Sequence, residues 1–437
     1  MQDNTAHNNE GLVNLKKVTQ KFTKNGSEVL REISIDDKKY TSRVKELNKH
    51  ISAEKEYFIS RLSNKVEYER TESGVFTYID LFCGGGGLSL GVHDSLNFFG
   101  FNTKLAIASD LDNKALNLVK KQFKPLYSIN DDVSKLVKYT IDHSGKIKDF
   151  IFQPDFDDLR IKNLKGKVKL LVGGPPCQGH SKLNNKTKGF DNRNDLYYVM
   201  PAFAVGLNIP YVVIENVESI KDSNEDVAGI STEIFKTHGY FVYQRNLSSV
   251  DYGVAQTRGR HFLIASKKPL PNLDNFIENL KCEDYISFDD INRDIPPLSI
   301  DNKELESESE YSEENINRIN YLHDNVLYNL PAKERPVCHQ EGHSYSAVYG
   351  RIYPERPTST ITTGFFSPGR GRYIHPHERR AINAREAGRI QAFPDYYWRH
   401  APEIGFLKAQ YAKIIGDAVP SNMIMPIIAA LVDAERG

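Results

Sequence analysis

The feature that most limits what this chain can fold into is a series of short apolar runs that starts after "YIDLF" (78–82). The runs are "LAIASDL" (105–111), "KLLVGG" (169–174), "YVVIENV" (211–217), "YFVYQRNL" (240–247) and "HFLIAS" (261–266). Segments of helical pattern, such as "LDNKALNLVKKQF", lie between the first four runs. Buried strands that alternate with helices predict an α/β fold with a parallel sheet covered on both faces. The last two runs follow closely on each other, so we expect an antiparallel pair at one edge.

This alternation covers only part of the 437 residues, a length sufficient for one large domain and a smaller one. Residues 1–75 are polar and basic with helix-like spacing, which predicts a helical N-terminal extension. Residues 76–266 contain the alternating pattern and are predicted to form the large domain. Between 267 and 356 proline, acidic and aromatic residues dominate, which indicates a smaller irregular domain. Helical character returns within 357–437.

Composition excludes several classes of protein. Hydrophobic residues make up 39% of the chain and charged residues 26%, as in ordinary globular proteins. No apolar run approaches the roughly 18 residues of a membrane span, and the polar start carries no secretory signal, so we expect a cytoplasmic protein without a membrane partner. The four cysteines show no CxxC or Cys/His spacing, which predicts a reducing compartment and no metal.

The net charge is zero, so any surface for nucleic acid must come from an uneven distribution of charge. The distribution is uneven. Residues 14–49 carry ten Lys/Arg against five Asp/Glu, whereas residues 278–315 carry thirteen Asp/Glu against three Lys/Arg. The stretch "SPGRGRYIHPHERR" (367–380) is basic again and is a candidate for phosphate contacts through Arg370 and Arg372.

A glycine-rich loop, "DLFCGGGGLSLG" (80–91), follows the first predicted strand and opens a helix. Glycines allow a sharp turn and a close approach to a ligand. The loop matches the dinucleotide pattern GxGxxG only loosely, with Gly84 and Gly86 but no glycine at 89. S-adenosylmethionine fits it better than NAD, because the loop then has to hold only an adenosine and an amino-acid carboxylate. Asp110, at the end of the next strand, can bind ribose hydroxyls.

A second stretch, "GGPPCQGHS" (173–181), places Cys177 behind two prolines and two glycines at the end of a strand. The residues alone leave open whether this cysteine is buried and structural or a nucleophile. Two further stretches favour the nucleophile. Glu215 ends "VVIEN" at the edge of the sheet where doubly wound folds build their sites. "GVAQTRGRHF" adds Gln256, Arg258 and Arg260, and arginine can anchor a ring carbonyl or a phosphate.

Together these stretches resemble the DNA (cytosine-5) methyltransferase family of bacterial type. The motifs "DLFCGGGGLSLG", "GGPPCQGHS", "ENV", "QTRGR", "RPTSTITT" and "GDAVP" occur in that family's order and span about residues 80–420. The resemblance implies a Rossmann-like S-adenosylmethionine-dependent methyltransferase fold, with 267–356 as the target-recognition region. It also implies that the C-terminal helix packs back beside the glycine loop.

The resemblance further implies roles for individual residues. Cys177 would add to C6 of a cytosine flipped out of double-stranded DNA, Glu215 would serve N3, and Arg260, with Arg258, would hold the O2 side. Gln256 would join Arg370 and Arg372 as DNA contacts. The expected cofactor pocket comprises Phe82, Gly84, Gly86, Asp110, Leu111, Asp132, Pro175 and Leu196, with Asp131 as a neighbouring alternative to Asp132.

Some positions depart from the family's pattern, and some alternatives stay open. Leu111 stands where tryptophan is common, Asp417 where asparagine is common, and His180 where phenylalanine is frequent. A tRNA cytosine-5 methyltransferase and a non-catalytic DNA-binding regulator are the competing functions. We expect a monomer on DNA, associated with the nucleoid, which is either paired with a restriction endonuclease or an orphan enzyme.

Overall fold

The structure is a computed structural model that describes residues 15–69, 74–140, 152–176, 196–222, 226–337, 340 and 347–437. An antiparallel sheet comes first in the chain, in the order β1-β2-β3-β4, and a helix packs on it. Its elements are β1 Val18–Asn25, β2 Glu28–Ile35, β3 Lys38–Lys45, α1 Ala53–Ser63 and β4 Glu67–Tyr68.

The prediction of a helical extension is wrong for residues 18–45, which form three strands. The reason is visible in β2, where every second side chain is buried, from Val29 through Arg31 and Ile33 to Ile35. A period of two is the pattern of a strand with one buried face. The abundant lysines obscure this alternation, and only α1 retains the helix expected for this part of the chain.

The central sheet has seven strands among the described residues, in the order β10-β12-β9-β8-β5-β6-β7. All neighbouring pairs from β9 to β7 are parallel, whereas β12 runs antiparallel to both β9 and β10. This confirms the predicted parallel sheet and the antiparallel pair at its edge. The strands are β5 Gly74–Leu81, β6 Phe101–Ser109, β7 Tyr127–Ile129, β8 Leu170–Gly173, β9 Tyr211–Asn216, β10 Phe241–Ser248 and β12 Gly259–Ser266.

Helices cover both faces of this sheet, as predicted. One face contributes Tyr78 to a core shared with α2, α7 and α13, and the other contributes Ile79 to a core shared with α5 and α6. The first core also takes in Ile33 and Tyr40 of the N-terminal sheet. The helices of these layers are α2 Gly87–Phe98, α3 Asn113–Phe123, α4 Leu159–Lys162, α5 Val199–Gly206, α6 Val227–Thr237 and α7 Leu273–Asn279.

The rest of the chain is less regular. A two-stranded parallel sheet joins residues 256–257 to 358–359 across about a hundred residues of sequence. A small separate core forms around Ile319, Leu322 and Ile374. The domain boundaries that the sequence suggests stay a prediction. The elements are β11 Gln256–Thr257, α8 Phe288–Asn292, α9 Glu313–Asp324, β13 Thr358–Ser359, α10 Ala384–Ile390, α11 Ala401–Ile404, α12 Lys408–Asp417 and α13 Met425–Arg436.

The C-terminal helical stretch Lys408–Arg436 is long and apolar enough to cross a membrane by composition alone. However, 89% of its most apolar portion is buried inside the protein, and α13 packs against α2 and α7. Its apolar character is therefore that of a core helix.

Candidate active site

The glycine loop connects β5 to α2 at the carboxyl edge of the sheet. Phe82 has a left-handed backbone with φ of 59°, and Gly86, with φ of 82°, is the N-cap of α2. A Cβ at Gly87 would lie 2.6 Å from the Val419 carbonyl oxygen, so this position accepts only glycine without a shift of the backbone. The loop therefore lies directly against residues 414–419, which confirms that the C-terminal segment returns to this edge.

Asp110 follows β6 and holds the glycine loop. Its Oδ2 accepts a hydrogen bond from the Gly84 amide at 2.7 Å, and its Oδ1 accepts one from the Asp112 amide at 2.8 Å. A Cβ at Gly84 would meet no atom within 4 Å, so the space above this residue is open. Leu111, next to Asp110, is 70% exposed. The carboxyl edge of the sheet thus presents the accessible backbone of Gly84 beside the Asp110 carboxylate, which hydrogen bonds hold in place.

The other predicted cofactor residues lie around this loop or beside it. Asp132 is the N-cap of a short 3-10 helix, and its Oδ1 accepts from the amide and the hydroxyl of Ser134. Asp131 pairs with Lys135 at 2.9 Å, which lowers the pKa of Asp131. Pro175 is buried, and Leu196 is half-buried against the α5 side of the core.

Glu215 is the penultimate residue of β9 and is almost fully buried, with 7% exposure. Its Oε1 lies 2.8 Å from Arg260 Nε, at the start of the neighbouring strand β12. Burial raises the pKa of Glu215, although the charges of Arg260 and Arg258 oppose this shift. A Cβ at Gly174 would lie 2.9 Å from Glu215 Oε2, so glycine leaves room for the carboxyl group. Arg260 therefore holds the carboxyl group in place, while burial favours its protonated form.

Asn216, the next residue, ties this strand to the segment that leads to the cysteine. Its Nδ2 donates to the Pro175 carbonyl oxygen at 3.1 Å. Cys177 itself lies outside the described residues, two positions beyond Pro175. No separate role for Asn216 could be predicted, because an asparagine at the end of a strand has no unique signature.

Arg258 and Gln256 are internal to the protein. Arg258 donates to the carbonyl oxygens of Ile361 at 2.8 Å and Gly416 at 3.1 Å, and burial lowers its pKa to about 9. Gln256 is fully buried, and its amide nitrogen donates to Gln391 Oε1 at 2.6 Å. These contacts leave Gln256 no exposed atom for DNA, and they attach the Arg258 guanidinium to the main chain of two distant segments.

Gln391 was missed by sequence reasoning. Its Nε2 donates to the Ile415 carbonyl oxygen at 2.6 Å, so it joins Gln256 to the segment that packs on the glycine loop. Tyr397 was missed as well, and its hydroxyl donates to the Gly85 carbonyl oxygen at 2.6 Å. Both lie in "RIQAFPDYYW". The spacing of apolar residues there is that of an ordinary buried helical segment, so it does not indicate contacts with the glycine loop or with its neighbours.

The four arginines of the basic segment 367–380 have different environments. Arg370 is exposed. Arg372 donates to the carbonyl oxygens of Tyr328 and Arg351 and stacks on the Tyr353 ring at 4.8 Å. The last two form ion pairs, Arg379 with Asp324 and Arg380 with Glu386. Arg370 and Arg379 are the exposed arginines of the segment, and Arg379 is already paired with a carboxylate, so Arg370 is the better candidate for a phosphate contact.

Arg380 also explains a cluster that resembles a metal site. His375, Glu378 and Glu386 bring potential ligand atoms within 4.8 Å of one another. The Arg380 guanidinium lies between the two carboxylates, at 2.7 Å from Glu378 and 2.6 Å from Glu386. The Arg380 guanidinium supplies the positive charge that balances these two carboxylates. The cluster is therefore a network of ion pairs and not a metal site.

This geometry defines a class of protein. Three features are those of a Rossmann-like methyltransferase: a parallel sheet with one reversed strand next to its edge strand, a glycine loop held by an acidic residue, and a Glu–Arg pair at the carboxyl edge of the sheet. Residues 76–433 match the family model described as C-5 cytosine-specific DNA methylase, and the chain belongs to this family. The enzyme class is DNA (cytosine-5) methyltransferase.

Named relatives agree with this assignment. The chain is 36% identical over 370 residues to the type II methyltransferase M1.BsuMI of Bacillus subtilis (strain 168), covering 83% of this chain and 82% of that protein. It is 29% identical over 357 residues to the type II methyltransferase M.DdeI of Desulfomicrobium norvegicum, covering 73% and 79%. The predicted family resemblance is confirmed.

Solved structures agree in fold. A putative DNA modification methyltransferase encoded within an E. coli prophage superposes with a TM-score of 0.54 at 23% identity, over 83% of this chain and 100% of that one. The S. pombe Dnmt2 methyltransferase gives 0.52 at 16% identity, over 83% and 100%. The predicted methyltransferase fold is confirmed.

Proposed function

We propose that this protein transfers a methyl group from S-adenosylmethionine to C5 of a cytosine flipped out of double-stranded DNA, through a covalent bond between Cys177 and C6. The observation that carries the proposal is the buried pair of Glu215 and Arg260. It lies on strands whose neighbouring loop leads into Cys177, and Asn216 fixes that loop through Pro175.

The glycine loop fits S-adenosylmethionine. The open space above Gly84 and the anchored Asp110 provide a backbone cradle beside a carboxylate, which suits an amino acid and a ribose. Phe82, Gly86, Leu111, Asp132, Pro175 and Leu196 would complete the pocket. The bound cofactor supplies an electrophilic methyl group on a sulfonium sulfur.

The protein side chains make C5 nucleophilic. The Cys177 thiolate adds to C6, and the electron density that is displaced moves toward N3 and C5. Glu215 donates its proton to N3, a step that its raised pKa favours. Arg260 keeps the Glu215 carboxyl group in place and faces the side where negative charge develops. After C5 is methylated, its proton passes to water, and the electrons of that bond re-form the C5–C6 double bond and expel the Cys177 thiolate. N3 then returns its proton to Glu215, which restores both groups.

Arg258 acts in this proposal as a positioning residue. Its guanidinium binds two main-chain carbonyl oxygens, from the 358–363 segment and from the 414–419 segment. These bonds hold the start of β12, and with it Arg260, against the segment that packs on the glycine loop.

The names of the relatives support a further part of the proposal, which is a role beside a restriction endonuclease. M1.BsuMI and M.DdeI are both named type II methyltransferases. A cytoplasmic enzyme that acts as a monomer on nucleoid DNA is the simplest arrangement that serves this role.

Transfer of a radioactive methyl group from S-adenosylmethionine to DNA or to tRNA tests the proposal. We expect label in double-stranded DNA only, and bisulfite sequencing should locate it at C5 of cytosine within one sequence. The Glu215→Gln variant should lose the transfer, while Glu233→Gln, which changes a surface carboxylate on α6, should keep it. Label in tRNA, or in neither nucleic acid, would contradict the proposal.

A further inference from the structure

The N-terminal sheet and α1 together span residues 18–68 and lie outside residues 76–433, the part of the chain that the family model matches. Family membership therefore assigns them no role. Their side chains nevertheless bind residues 281–293, which we call the entry segment. It starts after α7, whose apolar residues belong to the core of the central sheet, and leads into the irregular part of the predicted target-recognition region 267–356.

The start of α1 holds the main chain of the entry segment. The Glu54 carboxylate accepts hydrogen bonds at Oε2 from the amides of Glu283 and Asp284, both at 3.0 Å. The hydroxyl of Ser52, the N-cap of α1, donates to the Asp284 carboxylate at 3.0 Å. Hydrogen bonds from amides to a carboxylate are stronger than those between neutral groups. The backbone of the entry segment is therefore fixed to α1.

Two lysines from the same part of the chain bind α8, which lies within the entry segment. Lys49 Nζ donates to the carbonyl oxygens of Asp290 at 2.9 Å and of Arg293 at 3.3 Å, at the C-terminal end of this helix. Lys55 Nζ lies 3.4 Å from Asp290 Oδ2. The same carboxylate accepts from the Ser287 amide in the capping box at the start of α8. Both ends of α8 are thus attached to the region around α1.

α8 is also the place to which the predicted recognition region returns. The Phe288 amide donates to the Arg356 carbonyl oxygen at 3.1 Å, and the Asp289 amide donates to the Pro354 carbonyl oxygen at 2.9 Å. The chain between these two points includes α9 and most of the small separate core. This part of the chain therefore begins and ends on a helix that α1 holds.

The other end of α1 is attached to the catalytic part of the molecule. Arg61 Nη2 lies 2.7 Å from Asp94 Oδ2 on α2, the helix that begins at the glycine loop. The Phe58 ring packs on the backbone of Gly253, where a Cβ would lie 2.5 Å from the ring. One helix therefore connects α2 with both ends of the predicted recognition region.

We propose that the N-terminal sheet and α1 act as a brace that fixes the target-recognition region relative to the glycine loop, with Glu54 and Lys49 as positioning residues for the recognition of DNA. This inference rests on the proposed methylation of DNA. A region that is held in place loses less conformational entropy when it binds DNA, and it cannot shift to accommodate a wrong base pair. The brace should therefore lower the KM for DNA and sharpen the choice of sequence, without an effect on the chemical step.

Steady-state methyl transfer by the full chain at varied DNA concentrations tests this inference. Glu54→Ala removes the acceptor of two amides, and we expect the KM for DNA to rise about five- to tenfold with kcat unchanged. Glu54→Gln keeps an oxygen that can accept and should restore most of the loss. Lys49→Met keeps the apolar stem but no donor, and it should also raise the KM for DNA. Lys39→Ala, which removes a partner of Glu32 on the outward face of the same sheet, is the matched control and should leave the KM unchanged.

A measure of sequence discrimination separates a positioning role from a loss of stability. It compares kcat/KM for the target sequence with kcat/KM for a sequence altered at one base pair, at a temperature where circular dichroism shows every variant to be folded. This ratio should fall about threefold in Glu54→Ala. If Glu54→Ala and Lys49→Met match Lys39→Ala in both the KM for DNA and this ratio, the inference is wrong. If the unaltered protein transfers no methyl group to DNA, the proposed function is wrong instead.

Discussion

The carboxyl edge of the central sheet and the N-terminal sheet each enclose an arginine, but the surroundings of the two arginines differ. Arg260 follows Gly259 at the start of β12 and lies 2.8 Å from the carboxylate of Glu215. The Arg31 guanidinium lies 5.4 to 5.6 Å from the ring centres of Phe22, Phe58 and Phe98, and 5.9 Å from that of Tyr57. It donates to Gln20 and to the sulfur of Met425. In the proposed mechanism the first arginine positions a proton donor, whereas the second attaches the N-terminal sheet to the core.

The two arginines have different partners, and these partners indicate different effects of a substitution. The Glu215–Arg260 pair holds a carboxyl group whose pKa is raised by burial, which is the group we propose as the proton donor. The Arg31 guanidinium contacts four aromatic rings and the first residue of α13, so it stabilises the junction of three elements. We therefore expect changes at the first site to alter rates, and changes at the second to alter stability.

The largest effect is expected for Glu215→Gln. It removes the proton that N3 receives, so kcat should fall about 10²- to 10⁴-fold, while binding of DNA changes little. In the unaltered protein kcat should decline as the pH rises through the raised pKa of Glu215, and the variant should lack this decline. Single-turnover methyl transfer measures both. A kcat within about threefold of normal would remove Glu215 from the mechanism.

Arg31→Ala tests the other region. Loss of the side chain leaves a cavity among the rings, and we expect a loss of about 3 kcal/mol in the free energy of unfolding with kcat per folded molecule unchanged. Arg31→Met, which fills more of the space, should cost less. Arg43→Ala, on the exposed face of β3, is the matched control and should cost under about 0.5 kcal/mol. Urea denaturation that finds Arg31→Ala and Arg43→Ala equal would contradict this account.

Asp80 offers a test that is based on pH. It is fully buried beneath the glycine loop, where it accepts a hydrogen bond from Ser89, and burial raises its pKa to about 7. The unfolded chain has a pKa near 3.9, so the folded state binds this proton more tightly. The stabilisation is complete below about pH 4 and is lost as the pH rises toward 7.

We therefore expect the Asp80→Asn variant to become more stable relative to the unaltered protein as the pH rises from 5 to 8. The relative rise in its melting temperature should correspond to about 1–3 kcal/mol in the free energy of unfolding. The comparison isolates Asp80, because the remaining titrating groups are common to both proteins. A difference that does not depend on pH would show that Asp80 is ionised in the folded state throughout.

The smallest effect concerns Arg370. The Arg370→Ala variant should weaken DNA binding and lower the salt slope of binding by about one, as expected for the loss of one phosphate contact. Arg379→Ala, whose guanidinium already pairs with Asp324, should change the slope less. Fluorescence anisotropy over a range of salt concentrations decides this, and equal slopes for all three proteins would show that the segment does not contact DNA.

Sequence reasoning succeeded where a residue has a local signal. The strands of the central sheet are short, apolar and mostly separated by helices. A parallel sheet, and the antiparallel pair β10 and β12 at its edge, were therefore predictable. Glu215 and Arg260 follow or begin such strands, and the structure places them together. Asp110 as a cofactor residue stays a prediction, and its contact with the Gly84 amide became visible only in the fold.

Sequence reasoning failed where contacts with residues distant in the sequence determine whether a side chain is buried. Gln256 and Arg372 lie in polar, glycine-containing sequences that suggest exposure, but contacts with Gln391 and with the Tyr328 carbonyl oxygen enclose them. The strands of the extension were missed for the same reason. Their buried face is completed by α1, α2 and α13, and nothing local in a lysine-rich segment indicates those partners.

The most direct test of the central claim is covalent trapping on DNA that contains 5-fluorocytosine at the target position. Fluorine at C5 cannot leave as a proton does, so the bond between Cys177 and C6 should persist through denaturation when S-adenosylmethionine is present. We expect mass spectrometry to find the adduct on Cys177, and Cys177→Ser to form none. An adduct on Cys83, Cys282 or Cys338, or no adduct on a verified target sequence, would contradict the account.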